Sequence, residues 1–196
     1  MGEIWAIILA AGESKRMGFP KMLLDFNGSS MLENVINNIK SSDADNIMVV
    51  LGSGRDDIIP LVTNCSVNYC YNDNYKDGML SSVKCGIRNL PQGTEAALIF
   101  QGDQPFIFQD VINKVIRSYK DSEKGIVIPV CSKKRGHPLL VDRKYFNEVE
   151  KLEDREGLRS LAYLFSDDVL EIEAGDHGIL RDFDTYEDYK ANNQNK

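Results

Sequence analysis

Residues 4–24 read Ile-Trp-Ala-Ile-Ile-Leu-Ala-Ala-Gly-Glu-Ser-Lys-Arg-Met-Gly-Phe-Pro-Lys-Met-Leu-Leu. Ile4–Leu9 is a continuous apolar run, the pattern a parallel strand shows when both of its faces are covered. The run breaks into small residues and then a loop that carries Gly12 and Gly18 together with Lys15, Arg16 and Lys21. Glycines let a backbone approach an anion closely, and N–H groups in such a loop can form an anion-binding concavity. Arg16 adds a bidentate fork. A buried strand opening into such a loop is a place to hold a polyphosphate. The loop is not a Walker loop, because Met17 stands where its second glycine belongs. Nor is it a dinucleotide fingerprint, because Gly12, Ser14 and Met17 do not supply Gly-x-Gly-x-x-Gly.

Outward from this stretch, strand and helix patterns alternate. Ile47–Leu51, Ser66–Tyr71, Ala96–Gln101 and Gly125–Val130 read as further buried strands. Helices are expected over Met31–Ile39, Asp56–Val62 with Pro60 as its weak point, Met79–Asn89 behind Gly78, and Val111–Tyr119. This alternation predicts an α/β fold, a single three-layer domain with a mostly parallel sheet. Beyond residue 130 the regularity falls. Leu139–Val141, Val169–Glu173 and Ile179–Asp182 are expected as strands that extend or flank the sheet, and Gly157–Phe165 and Thr185–Ala191 as helices. The polar residues 191–196 are expected to form a frayed tail. Ligands of open parallel sheets bind beyond the carboxyl ends of the strands. Gly12 and Asp103 each follow a strand, so a phosphate loop and a carboxylate fall on one rim.

The 196 residues, 42% of them hydrophobic, suit one domain with a real core. No apolar run is long enough to span a membrane. The chain enters a strand pattern directly, without a secretory signal, so the cytoplasm is the expected location. A net charge of −7 argues against nucleic acid as a partner. Cys65, Cys70, Cys85 and Cys131 form no Cys-x-x-Cys pair and have no histidine at zinc spacing. They are expected as free thiols, with a Cys65–Cys70 disulfide as the lesser alternative.

Leu-Ala-Ala-Gly-x-Ser-x-Arg-Met-Gly-x-x-Lys-x-Leu-Leu over residues 9–24 resembles the signature loop of the MobA-like NTP transferase family. It is most similar to the members that transfer a cytidylyl group to molybdenum cofactor. Further segments match in the family's order: Gly78-Met79 with Ser82, then Gly102-Asp103-Gln104-Pro105, Arg135-Gly136-His137-Pro138 and Asp182-Phe183-Asp184-Thr185. The resemblance implies one nucleotidyltransferase domain over residues 1–190, of the nucleotide-diphospho-sugar transferase (glycosyltransferase-A-like) type. It implies Mg²⁺-dependent transfer of CMP from CTP to a molybdopterin-type cofactor, release of pyrophosphate, and a molybdenum hydroxylase as client.

The resemblance also implies roles. Leu9, Ala10, Ala11, Gly12, Arg16, Lys21, Gly78, Ser82, Gly102 and Asp103 would bind the nucleotide. Arg16 would grip the β and γ phosphates, Lys21 would reach the α-phosphate, and Asp103 and Asp184 would hold the metal, with Asp182 competing for the second place. Ala11 stands where guanylyl-transferring members carry glycine, which implies CTP. Arg135, His137 and Arg159 would face the acceptor. Members tend to carry Gly-Asp-x-Gly-Ala-Arg before the late helix. Here the stretch is Asp154-Arg155-Glu156-Gly157-Leu158-Arg159, and Arg155 in place of the aspartate leaves the acceptor open.

Residue types alone keep plainer roles in view. Lys21 also fits a solvated surface lysine, Asp103 a turn or helix cap, Asp184 an N-cap, Ser82 a helix start and His137 a turn residue. Two other functions compete: transfer to a sugar or polyol phosphate, and non-catalytic carriage of nucleotide or cofactor to a molybdenum enzyme. The presence of both Lys21 and Asp103 favours catalysis over carriage.

Overall fold

β1 (Glu3–Ala10) runs through the middle of an 8-stranded sheet and buries every residue after Glu3. Side chains alternate across a strand, so Ile4, Ala6, Ile8 and Ala10 enter one core while Trp5, Ile7 and Leu9 enter the other. The computed structural model describes residues 2–14, 17–18, 20–153, 156–183, 187 and 189–190.

After the glycine loop a short hairpin, β2 (Asp25–Phe26) and β3 (Ser29–Ser30), leads into α1 (Met31–Lys40). Ser30 Oγ accepts from the Glu33 N–H at 3.2 Å, an N-cap that fixes where the helix starts. There follow β4 (Asn46–Leu51), α2 (Arg55–Asn64), β5 (Asn68–Tyr71), α3 (Met79–Arg88), β6 (Thr94–Gln101) and α4 (Gln109–Asp121). The later part holds β7 (Ile126–Cys131), β8 (Lys134–Arg135), β9 (Leu139–Asp142), α5 (Phe146–Lys151), α6 (Arg159–Leu164) and β10 (Val169–Glu173). The strand order is β10-β7-β9-β6-β1-β4-β5, with β8 paired to β7. β1 is parallel to β4 and β6, β4 to β5, and β7 to β10. α1, α2 and α4 pack on one face, and α3, α5 and α6 on the other. This is the expected three-layer α/β domain with a mostly parallel sheet.

Three expectations need correction. Leu139–Val141 does not flank the sheet; β9 lies inside it, antiparallel to both β6 and β7. Its Leu-Leu-Val run is buried on both faces, which an edge strand would not allow. Ile179–Asp182 forms no strand. Residues His177–Leu180 make a 3-10 turn, begun by Asp176, whose side chain accepts from the Gly178 N–H, and Ile179 fills the core instead of pairing. α2 is longer than expected and passes through Pro60, which sits on its exposed side. The expected helix Thr185–Ala191 and the tail lie largely or wholly outside the described residues. The four cysteines are free thiols, and Cys70 has Cys85 at 3.8 Å between sulfurs as its neighbour, not Cys65.

The inserted strand positions the site. Because β9 is antiparallel to β6 with Leu139 opposite Ile99, β9 begins where β6 ends. The Arg135–Pro138 loop therefore meets the loops that follow β1 and β6 on one rim.

Candidate active site

The rim carries two adjoining cavities. The first, of about 240 Å³, is lined by Leu9, Ala11, Gly12, Lys21, Met22, Tyr75, Gly78, Met79, Ser82, Gln101 and Asp103. The Lys21 ammonium pairs with the Asp103 carboxylate across it. Asp103 is buried, set by a loop that Gly102 brings close to the sheet. The Gly102 N–H donates to the Leu9 carbonyl at 3.1 Å, and a Cβ on Gly102 would stand 2.8 Å from Met22 Sδ. Gly52 is just as tightly placed: a Cβ there would meet the Ala11 Cβ and carbonyl, each at 2.8 Å.

Ser14 shapes the start of the loop. Its carbonyl accepts from Met17 N at 2.9 Å, and its hydroxyl accepts from Lys21 N at 3.3 Å, which ties the lysine's backbone back toward β1. On the opposite wall α3 starts at Gly78, whose φ of 110° favours glycine. Buried Asn72 clamps this helix start. Its amide NH₂ donates to Ser81 Oγ and Ser82 Oγ, both at 2.9 Å, and its Oδ1 accepts from Asn74 N at 3.0 Å. Ser82 Oγ thus accepts from Asn72, which leaves its own proton available to a ligand in the cavity it lines.

The second cavity, of about 370 Å³, is walled mainly by apolar side chains, among them Leu80, Val83, Ile99, Ile128, Leu139, Leu158 and Ala162. Arg135, His137, Glu156 and Arg159 supply its polar groups. Leu9 and Met79 line both cavities, so the two share a wall. Arg135 pairs with Glu171 at 2.6 Å and lies over the Tyr163 ring. Gly136 approaches the Ile179 carbonyl so closely that a Cβ would stand 2.5 Å from it. His137 Nδ1 lies 3.2 Å from the Ile99 carbonyl oxygen and Nε2 lies 3.0 Å from Gln101 Nε2. Burial pulls the His137 pKa below its ordinary 6.5, opposed by the Ile99 carbonyl and the Asp103 charge.

The structure therefore brings Leu9, Ala11, Gly12, Lys21, Gly78, Ser82 and Asp103 together in one cavity, and Arg135, His137 and Arg159 in its neighbour. Ala10 points away from both, into the core on the opposite face, because strand alternation sends neighbours of Leu9 there. Gly102 lines neither cavity and acts through its close approach to Leu9 and Met22. Arg16 and Asp184 lie outside the described residues. Phe183, before Asp184, packs against Phe106, three residues past Asp103, with ring centroids 5.5 Å apart.

The donor set is suited to a hard cation. Asp103 offers a buried carboxylate, and the buried Oε1 of Gln104, next in the chain, has no hydrogen-bond partner among the described residues. Mg²⁺ takes oxygen ligands and is commonly held by one or two carboxylates together with substrate phosphates. Among the described residues, no cluster of three or more histidine, cysteine or acidic side chains could hold a metal unaided.

A family model for the MobA-like NTP transferase domain matches residues 6–169. The chain belongs to that family. It is a nucleotidyltransferase, and the rim described above lies where such α/β enzymes bind nucleotide. The molybdenum cofactor cytidylyltransferase of Escherichia coli (strain K12) is 28% identical over 190 residues, covering 96% of this chain and 95% of that protein. A probable molybdenum cofactor guanylyltransferase of Natranaerobius thermophilus is 31% identical over 139 residues, 66% of this chain and 62% of that protein. The crystal structure of Rv0371c from Mycobacterium tuberculosis H37Rv shares the fold with a TM-score of 0.86 at 21% identity, covering 98% of each chain. A complex of Rv0371c with manganese gives 0.80 at 19% identity, covering 99% of this chain and 100% of that one. Among the described residues no helix is long and apolar enough to cross a membrane.

The motif reading missed Asn72, Tyr75, Met79 as a shared wall, and Gln101. Gln101 did leave a signal: it is a polar residue ending the apolar run Ala96–Phe100 at the rim. Asn72 left a weaker one, in the polar stretch Asn72-Asp73-Asn74 between a strand and Gly78.

Proposed function

We propose that this nucleotidyltransferase transfers CMP from CTP to a molybdopterin-type cofactor and releases pyrophosphate. The observation that carries the reading is the shared wall between two unlike cavities, one holding the Lys21–Asp103 pair and the other apolar with two arginines. A flat pterin suits apolar walls, and a guanidinium suits its phosphate. The apolar lining favours this acceptor over a sugar or polyol phosphate, which would demand more polar partners.

An acceptor phosphate oxygen attacks the α-phosphorus of the nucleotide, the bond to the bridging oxygen breaks in line, and pyrophosphate leaves. The attacking phosphate is already ionised, so no side chain is needed to remove a proton. Positioning and charge stabilisation dominate such chemistry. Lys21, aimed across the cavity by Asp103, meets charge that builds at the α-phosphate. Arg16 grips the leaving phosphates. Asp103, with Asp184 as its partner, would hold Mg²⁺, which when bound would screen the phosphates and stabilise the developing charge. Support for the metal comes from the buried carboxylate of Asp103 and from the manganese complex of Rv0371c. Packing of Phe183 on Phe106 supports Asp184 as the second ligand.

Ala11 on the wall of the nucleotide cavity and the likeness to the Escherichia coli cytidylyltransferase support CTP over GTP. The cytoplasm as location and a molybdenum hydroxylase as recipient follow from the same reading. The test is pyrophosphate release with each of the four NTPs, with and without molybdopterin, in Mg²⁺. Release is expected with CTP and only when the acceptor is present. Faster turnover of GTP would overturn the cytidylyl assignment, and release independent of molybdopterin would overturn the acceptor.

A further inference from the structure

His137 and Gln101 form a hydrogen-bonded pair at the border of the two cavities: His137 lines the apolar one and Gln101 the polar one. The chemistry of the contacts fixes their orientation. Nδ1 of His137 lies 3.2 Å from the Ile99 carbonyl oxygen, which can only accept, so Nδ1 carries a proton. A neutral imidazole has one donor and one acceptor, so Nε2 accepts. Gln101 then turns its NH₂ toward the ring, as the 3.0 Å contact to its Nε2 has it, and Oε1 is left on the other side of the amide. Burial favours the neutral ring that this arrangement needs.

We infer that His137 is a positioning residue, which locks the Gln101 amide so that its carbonyl oxygen reads a hydrogen-bond donor on the bound nucleotide. The inference rests on the nucleotidyltransferase reading and adds a specificity group to it. An amide oxygen repels phosphate oxygens, so its partner on the nucleotide is a hydroxyl or an amino group. Gln101 lines the cavity of Lys21 and Asp103 and not the apolar one, which assigns that donor to the nucleotide and not to the acceptor. On the facing wall Asn72 leaves the Ser82 hydroxyl as a donor. The cavity thus presents a fixed acceptor and a fixed donor before any ligand arrives. His137, the residue that resembles an acceptor-side contact, has both ring nitrogens engaged within the protein.

Two measurements test this. Nitrogen NMR of the histidine rings at neutral pH should show His137 with its proton on Nδ1 and a bare Nε2, and Gln101→Leu should shift the Nε2 resonance. A proton on Nε2 would overturn the inference. Calorimetric binding of CTP, 2′-deoxy-CTP and UTP then reads the consequence, the first analogue lacking a ribose hydroxyl and the second the base amino group. The wild type should disfavour one analogue, which identifies the donor, and both Gln101→Leu and His137→Leu should erase about tenfold of that preference. The double variant should do no more than Gln101→Leu alone, because the histidine acts through the glutamine. Equal weakening of all three nucleotides, additive losses, or no preference in the wild type would each overturn the inference. If His137→Leu fails to fold, the NMR signature and Gln101→Leu still decide it. Preserved discrimination without pyrophosphate release would instead overturn the transfer reading alone.

Discussion

The two cavities on the rim share Leu9 and Met79 yet are built from different materials. The smaller one gathers its polar groups from loops that follow β1 and β6 and from the start of α3, and a part-buried ion pair crosses it. The larger one is walled by residues of the sheet and of α3 and α6, with charge, among the described residues, only at Arg135, Glu156 and Arg159. On the proposed function, the difference separates two tasks. Groups that act on phosphate charge must be placed closely and held, so they sit where backbone hydrogen bonds and tight glycines fix them. Recognition of a flat ring system would need area, which the sheet and its covering helices supply. Changes in the first cavity should therefore strike turnover, and changes in the second should strike acceptor affinity.

The sharpest way to break this division is Asp103→Ala. It removes the carboxylate proposed to hold the metal, and kcat should fall by about 10³-fold, equivalent to about 4 kcal/mol, with the fold retained by circular dichroism. Near-normal turnover would remove Asp103 from the chemistry. Next in size is Lys21→Ala, for which kcat should drop by about 10²-fold with little change in nucleotide KM, since its interaction is made mainly in the transition state. Arg16→Ala should harm both constants. A rise in KM with unchanged kcat for Lys21→Ala would reverse these roles. In the other cavity, Arg159→Ala should raise the acceptor KM by about tenfold and leave nucleotide KM alone. An effect on nucleotide KM instead would merge the two cavities into one binding site.

The smallest expected effect on turnover comes from Asp168, which touches neither cavity. Burial would raise its pKa, but Lys144 at 2.8 Å, the Tyr145 hydroxyl at 2.6 Å and the Gly125 N–H at 3.1 Å hold it below the ordinary 3.8. A carboxylate depressed in the folded state contributes stability above its unfolded pKa and loses it as pH falls through the lower folded value. Asp168→Ala should therefore destabilise the protein by about 1 kcal/mol at neutral pH, less at strongly acidic pH, with kcat and both KM values unchanged. Thermal unfolding across pH checks it; the same loss at every pH would remove the ion pair from the account.

The sequence was legible where local chemistry dictates local structure. β1 reads as buried because Ile4–Leu9 is apolar throughout, and Gly12, Gly78 and Asp103 stand at strand and helix ends, where a rim must form. It was illegible where placement depends on distant partners. Nothing in Leu139-Leu140-Val141 says that it enters between β6 and β7 running backward, yet that insertion brings His137 to Gln101. Ile179 reads as a strand residue, yet it plugs the core, held there beside Gly136, which closely approaches its carbonyl oxygen. The Asn72 clamp depends on a fold that brings the end of β5 against the start of α3.

The most direct test of the central claim follows the α-phosphorus. With molybdopterin, Mg²⁺ and CTP labelled at the α-phosphate, the label should appear in the acceptor product, while label at the γ-phosphate appears in pyrophosphate. Label that stays in CTP, or leaves as free CMP with none in the acceptor, would contradict nucleotidyl transfer between the two cavities.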